Sequence, residues 1–440
     1  MQYIPNIVFA IALFFGIGFF VRNVKKLTRN IKLGRDVAIE GPTSERWKNM
    51  SRIALGQTKM VVRPIAGIMH IIVYVGFVII NIEVLEIIID GLLGTHRIFS
   101  FMGGLYDFLI GSFEILAFLV IVAVVVFWLR RNALRLQRFI KPEMEGWPKK
   151  DGNLILYIEL VLMFLFLTMN ATDYQLQQLG AEHYVKAGAY PISQFIAPLF
   201  SGLPEATLVL IERGAWWMHI LGILFFLNYL YYSKHLHILL AFPNTFYGKL
   251  SPQGKFNNLE AVTNEVKLML DPSADPFAAA PEDAEEPEKF GASDVMDLNW
   301  VQLMNAYTCT ECGRCTSECP ANQTGKKLSP RKIMMDTRDR LEEVGRNMDA
   351  NKGEFVPDGK QLLGDYITNE ELWACTTCNA CVQACPVSID PLSIIMDMRR
   401  YLVMEQSAAP MELNNMMSNI ENNGAPWPYN QMDRLNWVNE

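Results

Sequence analysis

All eight cysteines of the chain lie in two runs that share one spacing, C-x2-C-x2-C-x3-C-P. Three closely spaced thiolates followed by a Cys-Pro are typical of domains that bind two [4Fe–4S] clusters, where the fourth thiolate of each run reaches the other cluster. The spacing therefore predicts two clusters that carry electrons. One is held by Cys309, Cys312, Cys315 and Cys385, and the other by Cys375, Cys378, Cys381 and Cys319.

Structural zinc and disulfides are the alternatives for these cysteines. A structural zinc ion takes four ligands, usually from two CxxC pairs, and needs neither a third cysteine nor the trailing Cys-Pro. Disulfides belong to oxidising compartments, whereas iron–sulfur clusters are sensitive to air. The cluster interpretation therefore places this half of the chain in the cytoplasm.

The composition divides the chain into an apolar half and a polar half. Of the 440 residues, 51% are hydrophobic and only 19% are charged, which is less charge than a soluble protein of this length carries. The excess apolar residues lie before about residue 243, in five runs that are each long enough to cross a hydrocarbon core of about 30 Å as a helix. These runs cover residues 3–21, 64–89, 106–129, 153–170 and 214–241.

The distribution of lysine and arginine predicts the orientation of these five spans. Basic residues follow the first run, and do not precede it as in a secretory signal, so it is expected to be a retained helix. Residues 22–63 and 130–152 contain eleven and seven Lys or Arg, whereas the two intervening loops contain one and two. The positive-inside rule then places the N-terminus outside and the cysteine-rich half inside. No isolated basic patch suggests a nucleic-acid partner.

Two of the six histidines are spaced along the fifth span in a way that favours haem binding. His219 and His237 are five helical turns apart, so an unbroken helix would present both on one face, separated by about 27 Å. Such a pair suits a cytochrome b that carries electrons across a bilayer. His70, near the inner end of the second span, lies at a depth comparable with that of His237. His70 and His237 are therefore the predicted axial ligands of an inner, non-covalent b-type haem.

The ligands for a second, outer haem are less well matched. The second span has no histidine three turns beyond His70, and His96 is the substitute that would pair with His219. His183 and His235 are interpreted as structural, and any histidine in a bilayer can instead bond a neighbouring helix. Four acidic residues lie within the predicted spans. They are interpreted either as groups that deliver protons to a quinone or as groups that hydrogen-bond neighbouring helices. These residues are Glu83, Glu86, Glu114 and Glu159.

The second half of the chain is predicted to be helical as well. After each cysteine run, an N-cap residue followed by proline opens a helix, at Ser329 and at Asp390. The 55 residues between Cys319 and Cys375 favour an all-helical dicluster domain over a compact ferredoxin. The expected domains are a membrane bundle (1–244), an amphipathic helix with an acidic linker (245–294), the cluster domain (295–405) and an extended tail (406–440).

These features resemble known families. The bundle with His219 and His237 resembles the cytochrome b gamma subunit of respiratory nitrate reductase, and residues 233–244 resemble the cytochrome b of membrane heterodisulfide reductases. The cysteine-rich half resembles the helical dicluster subunit of heterodisulfide reductase and domains of succinate and glycerol-3-phosphate dehydrogenases. The fused order is similar to membrane iron–sulfur oxidoreductases that link electron-transferring flavoprotein to menaquinone.

The resemblance implies an all-α protein: a five-helix transmembrane cytochrome b bundle followed by a cytoplasmic all-helical dicluster ferredoxin domain, in the cytoplasmic membrane of a bacterium or archaeon. The implied function is an electron relay between a cytoplasmic redox partner and a menaquinone-type quinone. Its cofactors are two [4Fe–4S] clusters and one b-type haem, with a second haem left open. The sequence lacks the CCG repeats of heterodisulfide reductases, so a separate CCG-domain subunit or electron-transferring flavoprotein is the expected partner. The alternatives are a subunit of a heterodisulfide or sulfur-compound reductase, and a redox sensor or anchor without turnover.

Overall fold

The chain folds as an assembly of helices with a group of long apolar helices in its first half. The computed structural model describes residues 3–252, 254–273 and 289–438. Within these residues, the β pairing consists of two isolated bridges. Five helices are long and apolar enough to cross a membrane, which confirms the predicted all-α class and the number of candidate spans. They are Ile4–Ile31, Pro64–Leu93, Gly104–Ala133, Trp147–Leu179 and Glu205–Tyr232.

We number the helices of eight residues or more in chain order. In the described residues they are α1 (Ile4–Ile31), α2 (Thr43–Met50), α3 (Pro64–Leu93), α4 (Gly104–Trp128), α5 (Trp147–Leu179), α6 (Glu205–Tyr229), α7 (His237–Phe246), α8 (Glu260–Leu270), α9 (Trp300–Thr308), α10 (Pro330–Ala350), α11 (Pro391–Arg400) and α12 (Met411–Asn423). Shorter α-helical segments are Ser193–Ile196, Arg314–Glu318, Pro320–Gln323, Asn369–Trp373 and Ala380–Ala384. Short π-helical segments are Ser51–Leu55, Leu129–Ala133, Leu362–Tyr366 and Tyr401–Glu405.

The five long helices close into a ring. α5 packs against α4 and α6, α4 packs against α3, and α1 packs against both α3 and α6. Each of the five helices contributes a buried apolar side chain to the centre of the ring. These side chains are Phe9, Ile80, Ile110, Phe166 and Ile220. The outward face of α1 stays apolar, with Phe14 and Phe15 exposed, as expected for a surface that meets lipid rather than water.

The fifth span differs from the prediction of one helix over 214–241. α6 begins earlier, at Glu205, and ends at Tyr229. Ser233 is extended, with φ −120° and ψ 148°, and its hydroxyl accepts a hydrogen bond from the His235 N–H at 3.1 Å. A new helix, α7, then begins at His237. The prediction that one unbroken helix presents His219 and His237 on the same face is therefore wrong, because Ser233 interrupts it.

The second half of the chain confirms the predicted helix starts. The Ser329 side chain accepts a hydrogen bond from the backbone N–H of Lys332 at the start of α10, and Asp390 caps α11 in the same way through Ser393. α8 lies where the amphipathic helix was predicted. Most of the predicted acidic linker lies outside the described residues. The expected extended tail is wrong at α12, a helix that ends at Gly424 in the left-handed conformation.

The inner end of α1 packs into the cysteine-rich half. Leu27 is part of the same buried core as the residues around the cysteines, and the Asn30 side chain donates a hydrogen bond to the Tyr307 hydroxyl at 2.9 Å. Beyond α1, the Arg35 N–H donates to the Leu298 carbonyl at 2.8 Å, and the Trp300 N–H donates to the Arg35 carbonyl at 3.1 Å. The two halves of the chain are therefore joined by backbone hydrogen bonds as well as by packing.

Candidate metal centres

The first cysteine run forms a tight loop after α9. Cys309 is the C-cap of α9, and the loop turns through left-handed backbone conformations at Glu311 (φ 53°) and Gly313 (φ 70°). The loop then enters the short helix Arg314–Glu318. One cavity is lined by five cysteines, which include the four predicted ligands of the first cluster. They are Cys309, Cys312, Cys315 and Cys385, together with Cys381 of the second predicted set.

The second cysteine run repeats this geometry. Thr377 (φ 55°) and Asn379 (φ 61°) occupy the positions that correspond to the left-handed residues of the first loop. The short helices Arg314–Glu318 and Ala380–Ala384 pack against each other. This contact carries the last cysteine of each run across to the other loop, so that Cys319 lies near Cys375. The crossed ligand sets that the spacing predicts stay a prediction.

Burial determines when the cysteine thiols can ionise. It raises the pKa of Cys309 to about 12 and that of Cys385 to about 11. At neutral pH these thiols therefore ionise only where a metal displaces the proton, and the iron of an iron–sulfur cluster would do so. Among the residues that the structure describes, no three His, Cys, Asp or Glu side chains form a group that could hold a single ion.

Basic side chains from both halves of the chain meet beside the first cysteine cavity. The buried Arg314 donates to the carbonyls of Lys59 at 2.8 Å and of Met60 at 3.4 Å. The Lys59 ammonium donates to the Cys385 carbonyl at 3.3 Å. Sequence reasoning missed both residues, because Lys59 belongs to the basic stretch explained by the positive-inside rule. The C-x2-C-G-R-C context of Arg314 was the available signal.

Lys234 joins the membrane half to the first cysteine loop. Its ammonium pairs with the Glu311 carboxylate and lies 3.7 Å from Asp151. Burial lowers the pKa of Lys234. Burial would raise the pKa of Glu311, but Lys234 and Arg338 together hold it below its ordinary value. Lys234 therefore has its charge partners within the protein.

His70 and His237 face each other, as predicted. Their ring centroids are 6.3 Å apart and their planes are tilted by 40°. Two imidazoles on opposite sides of one metal, with bonds of about 2 Å, have centroids roughly 6 Å apart. The His237 Nδ1 lies 3.1 Å from the Lys234 carbonyl, and the buried His70 Nδ1 has no partner among the described residues. The pair therefore has the spacing that a bis-histidine haem requires.

The predicted outer pair is not brought together. The His219 Nδ1 lies 3.0 Å from the Leu162 carbonyl. His96 instead contacts Asp173, at 3.6 Å, and the Tyr184 ring. Leu162 and Asp173 are eleven residues apart on α5, which is about 16 Å along the helix. His219 and His96 therefore lie at different depths, because the 94–103 loop holds His96 at the end of the bundle.

His235 belongs to neither predicted ligand pair, but it lies beside His237. The two rings pack edge-on with 5.3 Å between their centroids, and the His235 Nε2 lies 3.5 Å from the Glu159 carboxylate. His183 lies in the loop between α5 and α6, with a left-handed backbone at φ 77°. Burial lowers the pKa of His96 to about 4, although Asp173 opposes this effect. His96 is therefore neutral at pH 7.

Residues 308–389 match the family described as a 4Fe-4S dicluster domain. The match confirms the predicted iron–sulfur half of the chain. Together with the five apolar helices, it defines a membrane protein of the iron–sulfur electron-transfer class. The resemblance of the bundle to cytochrome b stays a prediction.

The chain is similar over most of its length to iron–sulfur oxidoreductases. It is 30% identical over 463 residues to the probable iron-sulfur-binding oxidoreductase FadF of Bacillus subtilis, covering 99% of this chain and 61% of the relative. It is 26% identical over 412 residues to the EtfAB:quinone oxidoreductase of Syntrophomonas wolfei, covering 88% and 53% respectively. The probable membrane-anchored ferredoxin of Chromohalobacter salexigens is 32% identical over 172 residues, which are 36% of this chain and 25% of that protein.

These comparisons show that the chain is similar to proteins of the iron–sulfur oxidoreductase type. It spans between 53% and 61% of the length of the first two relatives. No solved structure matches it.

Proposed function

We propose that this chain is the membrane electron-transfer subunit of a quinone-linked oxidoreductase. It relays electrons between a cytoplasmic redox partner and a menaquinone-type quinone. The proposed partner is a CCG-domain iron–sulfur subunit or an electron-transferring flavoprotein. The bound cofactors, two [4Fe–4S] clusters and one b-type haem, supply one-electron transfer. The similarity to an EtfAB:quinone oxidoreductase supports both the flavoprotein and the quinone.

The proposal rests on one observation. The helices that carry His70 and His237, α3 and α7, are both joined to the cysteine loops by hydrogen bonds. Arg314, within the first run, donates to the backbone that leads directly into α3, the helix of His70. On the other side, the buried Asn244 of α7 donates to the Val387 carbonyl at 2.7 Å, two residues after the last cysteine of the second run. His237 begins α7. The helices that carry the two candidate haem ligands are therefore anchored to the loops that form the first cysteine cavity.

The exposure of the cysteines suggests where the redox partner docks. All eight lie within the described residues, and of these only Cys378 is exposed. The first cavity faces the membrane half, through Lys59 and Arg314, so the second run is the side available to a partner. In the proposed orientation, with the N-terminus outside, this side faces the cytoplasm, as the lysine and arginine distribution indicates.

The test is the reduced-minus-oxidised optical spectrum of the purified full-length protein and two histidine variants. The wild type is expected to show a b-type band. His237→Ala is expected to abolish this band, because it removes an axial ligand. His235→Ala is the matched control and is expected to keep the band, because His235 is a neighbour of the proposed site and not a ligand: its Nε2 lies 3.5 Å from Glu159 and its ring meets the His237 ring edge-on.

Two outcomes contradict the proposal. Equal loss of the band in both variants refutes the assignment of His237 as a ligand. A wild-type protein that binds its clusters but has no b-type band refutes the relay, and it favours the sensor or anchor, which needs no haem.

A further inference from the structure

A buried polar network occupies the end of the helix ring opposite the cysteine-rich half. The loop between α3 and α4 inserts Arg97 between the helices, with only 5% of the residue exposed and with a left-handed backbone at φ 53°. Asp90 accepts hydrogen bonds from the backbone N–H groups of Arg97 and Ile98, which fixes this turn. An arginine is thereby buried within a bundle whose outer surface is apolar.

The Arg97 guanidinium joins three helices. It donates to Asp173 at 2.7 Å and to Asn170 at 2.8 Å, both on α5. It lies 3.4 Å from the Tyr106 hydroxyl of α4 and 3.5 Å from the Glu83 carboxyl of α3. A buried arginine has to be paired in an apolar surrounding, and the network meets this requirement.

Two further carboxyls extend the network, and each has its own donors. Glu86 accepts a hydrogen bond from the Tyr106 hydroxyl at 2.9 Å. Glu114 accepts one from the Asn170 side chain at 3.2 Å and two from the backbone N–H groups of residues 192–193, at 2.9 and 3.0 Å. Donors of this kind stabilise the ionised form of a carboxyl group.

The network contains more acid than base. Its four carboxyls, Glu83, Glu86, Glu114 and Asp173, are each at most 3% exposed, and the guanidinium of Arg97 is the positive charge among them. Uncompensated negative charges inside a membrane bundle strongly oppose folding. Protonation removes this cost, so part of the network holds protons at neutral pH.

Glu83 is the carboxyl whose surroundings favour the protonated form. Its buried Oε2 has no hydrogen-bond partner among the described residues, and its Oε1 has only the long contact with Arg97. Glu86, Glu114 and Asp173 each accept several shorter hydrogen bonds. The proton is therefore placed on Glu83, whose free oxygen can donate it.

The network approaches the surface at the end of the bundle. Asp173 lies 3.6 Å from the His96 Nε2, and the His96 ring packs edge-on against Tyr184 with 4.9 Å between centroids. The Tyr184 hydroxyl donates to Glu212 at 3.0 Å. Glu212 in turn pairs with Arg213, whose side chain is 40% exposed. Polar groups thus form a nearly continuous line from Glu83 to the surface.

We propose that Glu83 is the proton-carrying group of the quinone reaction and that the network connects it to the surface opposite the cysteine domain. This inference rests on the proposed function, in which one quinone, two electrons and two protons give one quinol, or the reverse. The electrons come through the cysteine side of the protein and the protons come through Glu83. Glu83 lies thirteen residues beyond His70 on α3, about 20 Å along the helix. Electrons and protons therefore reach the quinone from opposite faces.

The first test is infrared spectroscopy of the full-length protein at neutral pH, in H2O and in D2O. We expect a C=O band of a protonated carboxyl that shifts in D2O and is absent in Glu83→Gln. The matched control is Asp151→Asn, at the other end of the bundle, where a 2% exposed carboxyl accepts hydrogen bonds from Tyr229 and from the Lys234 N–H. A band that persists in Glu83→Gln overturns the assignment of the proton.

The second test measures proton uptake during reduction of a menaquinone analogue by protein in liposomes. Protons are expected to disappear from the compartment opposite the cysteine domain. Glu83→Gln is expected to slow this uptake at least tenfold without changing the haem band or the cluster signals. Unchanged uptake in Glu83→Gln refutes the relay role. If the wild type keeps the infrared band but has no haem band, the proposed function fails while the proton on Glu83 stands.

Discussion

Gly34→Ala tests whether the two halves of the chain are locked together. A methyl group at Gly34 would lie 2.6 Å from the Trp300 nitrogen, 2.7 Å from the Asn299 carbonyl carbon and 2.8 Å from the Leu298 oxygen. All three are backbone atoms, which cannot rotate away as a side chain can. The two backbone hydrogen bonds of Arg35 with residues 298 and 300 contribute about 0.5–1.5 kcal/mol each. Their joint loss weakens the contact by about 2 kcal/mol, or roughly 30-fold in the opening equilibrium.

Hydrogen exchange of the purified full-length protein measures this opening. Peptides that cover residues 32–36 and 298–301 are expected to exchange roughly 30-fold faster in Gly34→Ala than in the wild type. Gly18→Ala is the matched control within α1, because a methyl group there meets nothing within 4 Å. Equal exchange rates in wild type and Gly34→Ala refute the steric argument.

Further predictions concern the contacts of the cysteine-rich half. Glu143→Gln leaves the fully buried Arg331 without its carboxylate partner. The loss is expected to lower the free energy of unfolding, measured by chemical denaturation, by about 3 kcal/mol. An unchanged denaturation midpoint contradicts the pairing. Burial would raise the pKa of Glu143, but Arg331 holds it below its ordinary value of 4.5. This stabilisation is therefore present at neutral pH and lost as the pH falls below about 4, which melting temperatures across a pH series check. Cys319→Ser is expected to halve the electron paramagnetic resonance signal of the clusters by removing the second cluster. Cys385→Ser is expected to halve it by removing the first cluster. If the spectra that remain in the two variants are identical, the crossed ligand sets are refuted.

The parts of the fold that depend on local sequence were predicted well. The length of the apolar runs predicted the five candidate spans, and a proline after an N-cap residue predicted the starts of α10 and α11. The bounds were less accurate. The first apolar run ends at Val21, but α1 continues to Ile31, because its basic residues are good helix formers and the end of the helix packs on the cysteine-rich half.

The parts that depend on long-range contacts were not predictable. Ser233 carries no breaking signal such as proline or glycine, and the break is visible only where its hydroxyl takes the N–H of His235. Arg97 was counted as one positive charge of an outer loop, yet it is buried among carboxyls from three helices. The facing of His70 and His237 was predicted, but through an unbroken helix that does not exist. The iron–sulfur domain was predictable because the cysteine spacing alone indicates it, and the assignment of each cysteine to a cluster stays a prediction.

Leu27 and Leu236 belong to the membrane half by sequence and to the core of the cysteine-rich half by packing. The acidic segment that joins the halves is the obvious place to divide the chain, yet a fragment cut there leaves both leucines behind. Each missing side chain opens a hole of the kind that costs about 2–5 kcal/mol when a core leucine is truncated. The two halves are therefore not separable modules. Any recombination event or engineered fusion that transfers the electron-carrying domain intact has to transfer the last turns of α1 with it.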